Sequence, residues 1–285
     1  MTAWRRIAKR VASEEGGFTL VELLVVIIIA IVTTLALFAF QDLALRQSSR
    51  VFAKVDATQE ARQAVERIET RLHSACIAED VTPIQPGSTT SSLSFISKFG
   101  SAATLTPEKH TIALSGTQLN DSTYAVSGGS TPNWTFSSTP SSTVRLLGNV
   151  TASGSNAIFS YFKYGPAQDS TGANYVDAAG NPFYILLDGT STLPSGLKTS
   201  TGASVPAGTL PANSVPIASA SQAGGLTTQD AQDAAAVKIT FKVGADGSLG
   251  ANTLAASPIT VSDTVVLRMT PVPSDNNQGV PSPCE

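Results

Sequence analysis

Gly16-Gly17-Phe18-Thr19-Leu20-Val21-Glu22-Leu23-Leu24-Val25-Val26-Ile27-Ile28-Ile29-Ala30-Ile31-Val32-Thr33-Thr34-Leu35-Ala36-Leu37-Phe38-Ala39-Phe40 decides the reading of this chain. The 23 residues from Phe18 to Phe40 carry one formal charge. At about 1.5 Å per residue they make a helix of roughly 34 Å, the thickness of a bilayer's hydrocarbon core. The exception is Glu22, one turn inside the apolar run, where an acid costs on the order of 2.5–3.5 kcal/mol on insertion scales. That cost implies a compensating partner; snorkelling of the carboxylate to the nearby interface is the plainer alternative.

Upstream, residues 1–17 hold Arg5, Arg6, Lys9 and Arg10 against Glu14 and Glu15. A basic segment before an apolar one also describes a secretory signal peptide. Such a peptide has an apolar core of only about 7–15 residues, followed by a small-residue cleavage site. Here the paired glycines precede the apolar run, so the order of parts is wrong for ordinary secretion. Basic residues stay on the cytoplasmic side, which places residues 1–17 inside the cell and everything after Phe40 outside. With a net charge of −3 for the chain and +2 for the leader, the remainder carries −5.

Downstream, no Gly or Pro occurs between Phe18 and Thr82, so helix can run well past a membrane. After Gln41 the pattern turns amphipathic: Leu45, Val51, Phe52, Val55, Ala61, Ala64, Val65, Ile68, Leu72 and Ala75 recur at three- and four-residue steps. One long helix is expected, ending near Cys76 to Asp80 and closed by Pro83, Pro86 and Gly87.

Gly17-Phe18-Thr19-Leu20-Val21-Glu22 followed by Leu23-Leu24-Val25-Val26-Ile27 resembles the N-terminal signature of type IV prepilins and type II secretion pseudopilins. The resemblance implies that a prepilin peptidase cuts between Gly17 and Phe18 and methylates the new Phe18 amine. It also implies that Glu22 pairs with the N-terminal amine of a neighbouring subunit. Two opposite charges in a medium of low dielectric attract strongly when each would otherwise be buried alone. The partners so implied are the peptidase, other pilins or pseudopilins met through their N-terminal helices, the inner or cytoplasmic membrane and an assembly platform protein. Many pilins carry a kinking proline partway down the span; this chain has none.

Residues 83–285 switch to short strand-like runs between Ser, Thr, Gly, Asn and Pro. Candidate strands are 93–99, 111–114, 144–147, 157–164, 183–187, 237–243 and 261–269, of which Val237-Lys238-Ile239-Thr240-Phe241-Lys242-Val243 alternates most cleanly. Strands after one helix predict an α+β fold, a long N-terminal spine helix packed on an antiparallel sheet head. The parts are a leader at 1–17, a span at 18–40, an amphipathic extension at 41–82 and a head at 83–285. Leu146-Leu147-Gly148-Asn149-Val150, Ile158–Phe162, Val237–Phe241 and Val265–Arg268 are similar to segments of the larger minor pseudopilins of the J type and minor pilins of the W type.

Residues 189–235 are nearly chargeless and rich in Ser, Thr, Ala, Gly and Pro, a composition that predicts a long surface loop with little core; a short helix fits at Thr228 to Ala235. Residues 119–142 read as a second loop, because Asn120-Asp121, Gly128-Gly129 and Thr131-Pro132 are turn chemistry. Trp134 and Phe136 are expected to pack on the head, with an exposed contact surface as the alternative. Asp169, Asn174, Asp177 and Asn181 gather near Gly172 and Gly180; oxygen ligands there suit calcium, but the spacing fits no EF-hand and a plain turn-rich loop is the favoured reading. No other cofactor and no metal site is implied. The two cysteines, Cys76 and Cys284, are a candidate disulfide in an exterior head, with two independent thiols as the alternative.

Composition excludes some functions. With 14% charged residues and an acidic balance, nothing favours phosphate backbones. There is no nucleophile elbow, phosphate loop or paired-cysteine metal box, and His73 and His110 are the only histidines. No enzyme is expected. The chain reads as a single-pass membrane protein that passes into a surface filament as a structural subunit, near its tip or in its initiation. The alternative is an adhesion or DNA-uptake module that uses the same anchor.

Overall fold

The computed structural model describes residues 19–76, 82–97, 106–130, 133–153, 157–244 and 258–267. The leader, Gly17, Phe18 and Cys284 lie outside the described residues. The chain divides into two compact units, Met1–Phe52 and Ala53–Glu285.

Helix α1 runs Leu20–His73, 54 residues, uninterrupted because no residue in it lacks a backbone donor or a Cβ. Its part in the first unit has no other described element to pack on, and Leu20 to Phe40 are exposed throughout. From Ala57 onward one stripe is buried: Ala57, Ala61, Ala64, Val65, Ile68 and Leu72. Leu45, Val51, Phe52 and Val55, expected in that stripe, are exposed, Phe52 by 71%. The helix also ends earlier than its composition suggests. The backbone of Ala75 bridges Ser97 and the Cys76 N–H donates to the Ile96 carbonyl at 2.7 Å, so pairing with a strand takes the groups that further helix would need.

The second unit holds two antiparallel sheets. In the first, β1 (Ser92–Ser97), β2 (Glu108–Ser115) and β3 (Gln118–Ser130) lie in order, while β4 (Asn133–Phe136) and β5 (Ser142–Leu147) pair successive parts of β3. In the second, β7 (Phe159–Pro166), β8 (Tyr184–Leu186), β9 (Ala234–Val243) and β10 (Ile259–Val266) lie in the order β10-β9-β7-β8, and β6 (Val150–Thr151) pairs β9. Together with α1 these sheets make the fold α+β. The β2–β3 hairpin turns on Gly116, whose φ of +60° suits the first central position of a two-residue turn.

Residues 119–130 and 133–136 are therefore strand and not loop. Asn120-Asp121 sits mid-strand, because β2 and β5 supply hydrogen-bonding partners on both sides and pairing overrides local turn preference. In β9, Val237, Ile239, Phe241 and Val243 are buried while Lys238, Thr240 and Lys242 are not, the alternation expected of a half-buried strand.

The core joins the α1 stripe to both sheets: Leu93, Phe95, Ile112 and Leu119 from the first, Phe159, Tyr161, Val237, Ile239 and Phe241 from the second. The Tyr161 hydroxyl donates to the carbonyls of Thr89 (3.0 Å) or Ser92 (2.9 Å); burial pushes its pKa well above the usual phenol range. Between β8 and β9 the described chain has no strand, only a 3₁₀ turn at Ala218–Ser221 and α2 at Thr228–Asp233, whose N-cap Thr227 accepts from the Asp230 N–H. That segment still buries apolar area. Leu193, Leu197 and Val205 form a small core with Ala167 and Tyr175, contrary to the low-core expectation, because spaced single leucines and valines can share one pocket.

The two ends of the predicted stripe separate by stability. Ile68, fully buried, lies under the sheets, so Ile68→Ala should lower the unfolding free energy by about 2–5 kcal/mol. Phe52→Ala should change it by no more than about 0.5 kcal/mol. Urea unfolding of the detergent-solubilised chain measures both.

Candidate functional site

Thr19 precedes α1 and its Oγ1 accepts from the Glu22 N–H at 3.2 Å, leaving Thr19 as the N-cap and Glu22 in the first turn. Thr19-Leu20-Val21-Glu22 has the spacing of a capping box, in which the acid three residues on complements the helix N-terminus. The sequence reading missed this local role. It was visible in the Thr-x-x-Glu pattern. Glu22 is exposed, and among the described residues no cation pairs with it. The hydroxyls of Thr33 and Thr34 donate back to the Ile29 and Ala30 carbonyls at 2.7–3.0 Å, so neither leaves a donor unpaired along the span. Past the apolar run, Asp42 and Arg46 pair at 2.9 Å in an exposed i,i+4 bridge, worth little in water. The helix is long and apolar enough to cross a membrane.

The second unit holds a cluster the sequence did not announce. Asp121 on β3 is buried and its Oδ2 faces the guanidinium of Arg71, in the last turn of α1. Its other oxygen, Oδ1, lies 3.1 Å from Nδ1 of His110 on β2, and the Arg71 guanidinium is 3.4 Å from that same nitrogen. The Thr123 hydroxyl stands at 3.5 Å. The imidazole stacks on Phe95 with centroids 5.3 Å apart, and Nε2 is 3.9 Å from the half-exposed carboxylate of Glu108. Burial first, and the Arg71 charge second, push the His110 pKa down to about 4. Burial and Arg67 lower that of Arg71, against Glu108, which raises it.

An Asp–His pair of this geometry also orients a general base. Here the same carboxylate is shared with Arg71, and among the described residues no hydroxyl bonds Nε2. The arrangement fixes helix to sheet. Asp121 escaped the sequence reading because Asn-Asp reads as a turn until β2 and β5 are known to flank it.

The loop acids serve their own turns. Asp169 Oδ1 accepts from the backbone N–H groups of Thr171 (2.9 Å) and Ala173 (3.0 Å) and from the Thr171 hydroxyl (2.6 Å). Asp177 Oδ1 accepts from Ala179 and Asn181, both at 2.9 Å. These bonds hold both carboxyls below the usual range, through the Thr171 hydroxyl first at Asp169 and the Asn181 N–H first at Asp177. Asn174 takes a bond from Gln168, and the Asn181 amide reaches back to Asp177. Among the described residues no three His, Cys, Asp or Glu gather as metal ligands. The hydrogen bonds are those of a turn-rich loop.

Cys76 is fully buried beside Ile96, with Trp134 and Phe136 packed against the pair, and is disulfide-bonded. A cavity of about 780 Å³ beside β7 and β9 brings Lys238 together with the hydroxyls of Ser160, Ser221 and Thr240. Comparison with protein-family models, curated proteins and solved structures finds no match.

Removing one member of the buried pair leaves a charge without its counterion. Asp121→Ala should cost about 3–5 kcal/mol of unfolding free energy, while the double replacement Arg71→Met/Asp121→Leu should recover most of that loss. Denaturant titration of the three chains checks the order.

Proposed function

We propose that this chain is a minor subunit of a type IV pilus or a type II secretion pseudopilus. It is held in the membrane by α1, processed between Gly17 and Phe18 by a prepilin peptidase, and then extracted into the filament. The observation that carries the reading is the prepilin-type signature, Gly17-Phe18 with Glu22 five residues into the processed chain, standing at the capped start of a helix. That helix is apolar on every side to Phe40 and single-striped from Ala57. A helix of this kind serves two environments in turn, lipid or neighbouring spans first and its own sheets afterwards.

In this reading Glu22 answers the Phe18 amine of an adjacent subunit, and spans of other pilins or pseudopilins cover the exposed apolar faces. The second unit is a pilin-like head of the J or W type, outside the cytoplasmic membrane, at the filament tip or in its initiation. The assembly platform protein is the remaining partner. Cys76 is bonded in this head, and the proposal assigns Cys284, the chain's other cysteine, as its mate.

Processing tests the proposal directly. Mass spectrometry of the chain purified from native membranes should find a mature protein that begins at N-methylated Phe18 and lacks residues 1–17. A chain that keeps its leader in cells with an active prepilin peptidase would refute it.

A further inference from the structure

We infer that Arg71, Asp121 and His110 form an acid-sensitive clamp, which holds the last turn of α1 on the first sheet at neutral pH and loosens it as the medium acidifies. The inference stands apart from the filament reading, because it rests only on the second unit.

Three features of the site carry it. First, the closed cluster is balanced while His110 is neutral: the Asp121 carboxylate meets one guanidinium, and the imidazole adds no charge. Second, the surroundings oppose a proton on His110. From α1 it faces Arg71, with Arg67 behind it; from β3 it faces Asp121 and the Thr123 hydroxyl; from β1 it faces only the Phe95 ring. Among the described residues the nearest additional anion is Glu108 on its own strand, 3.9 Å from Nε2 and half exposed, where water screens it. A second buried cation would compete with Arg71 for a carboxylate already in use. Third, water reaches the clamp without unfolding the head. Arg71 is about one-third exposed, and a groove of about 460 Å³ beside it runs between α1 and β5, lined by Gln63, Thr70, Val144 and Leu146.

The sign follows from linkage. With the closed His110 at about 4 and an opened histidine near 6.5, the open form binds more protons between those values. The opening constant therefore rises as pH falls from 6.5 to 4, by on the order of 80-fold, and by a further factor of about two below 4 before this group ceases to contribute.

Native-state hydrogen exchange of the full chain in detergent, corrected for intrinsic exchange rates, reads that constant. In peptides covering 64–76 and 108–123, protection should fall by up to about 80-fold between pH 6.5 and 4, while peptides of β9 keep theirs. His110→Phe, which retains the stack on Phe95, should abolish the fall; His110→Gln, which still offers a donor to Asp121, gives the same readout if the first variant folds poorly. An unchanged acid response in either folded variant would overturn the clamp. So would equal loss of protection in β9, which would mean global unfolding.

Discussion

The constraint on which the rest depends is continuity of one helix across two kinds of surroundings. Without Gly or Pro from Phe18 to Thr82, nothing in the backbone can break α1 where its composition changes. The change falls on side chains alone. Apolar residues cover the whole circumference up to Phe40, and one stripe of small and branched residues, Ala57 to Leu72, suffices where the helix becomes a core element. Alanines at 57, 61 and 64 and the larger Val65, Ile68 and Leu72 make up the buried stripe. The exposed residues between, Leu45 to Val55, have neither lipid-length continuity nor a sheet of their own to cover them.

The second unit is organised around the end of that helix. Its last turn is tied to the first sheet by the pairing of Arg71 with the buried carboxylate of Asp121, and just beyond it the backbone of Ala75 and Cys76 joins β1. A guanidinium suits this position because it can serve a carboxylate and still reach water along its stem. Burying a charge pair seldom adds stability over an apolar contact, but it makes one register better than its neighbours. Asp121 can meet Arg71 only if β3 is aligned on β2 as observed.

Much of the architecture was legible because it is written locally. The long helix follows from unbroken apolar and then striped periodicity, and β9 from strict alternation at Val237 to Val243. What stayed hidden depends on residues distant in sequence. Asn120-Asp121 and Gly128-Gly129 prefer turns in isolation, and only the partners supplied by β2, β4 and β5 make them strand. Leu193, Leu197 and Val205 sit in a composition that looks coreless, yet they converge with Tyr175 on one small cluster. His110 and Asp121 lie 11 residues apart in sequence, and Arg71 joins them only through the tertiary fold. Glu22 shows the opposite case: the assembly role proposed for it rests on resemblance, while the Thr19 cap at the start of its helix was readable from four letters.

The charge proposed to act in assembly can be removed without disturbing the Thr19 cap. Gln also serves at the third position of a capping box, so Glu22→Gln keeps the local helix start and removes only the charge. The decisive measurement is the fraction of chain recovered in sheared filaments, compared between wild type and Glu22→Gln at equal membrane levels. The account expects the variant to stay in the membrane and to be nearly absent from filaments. Recovery in filaments at the wild-type level would contradict it.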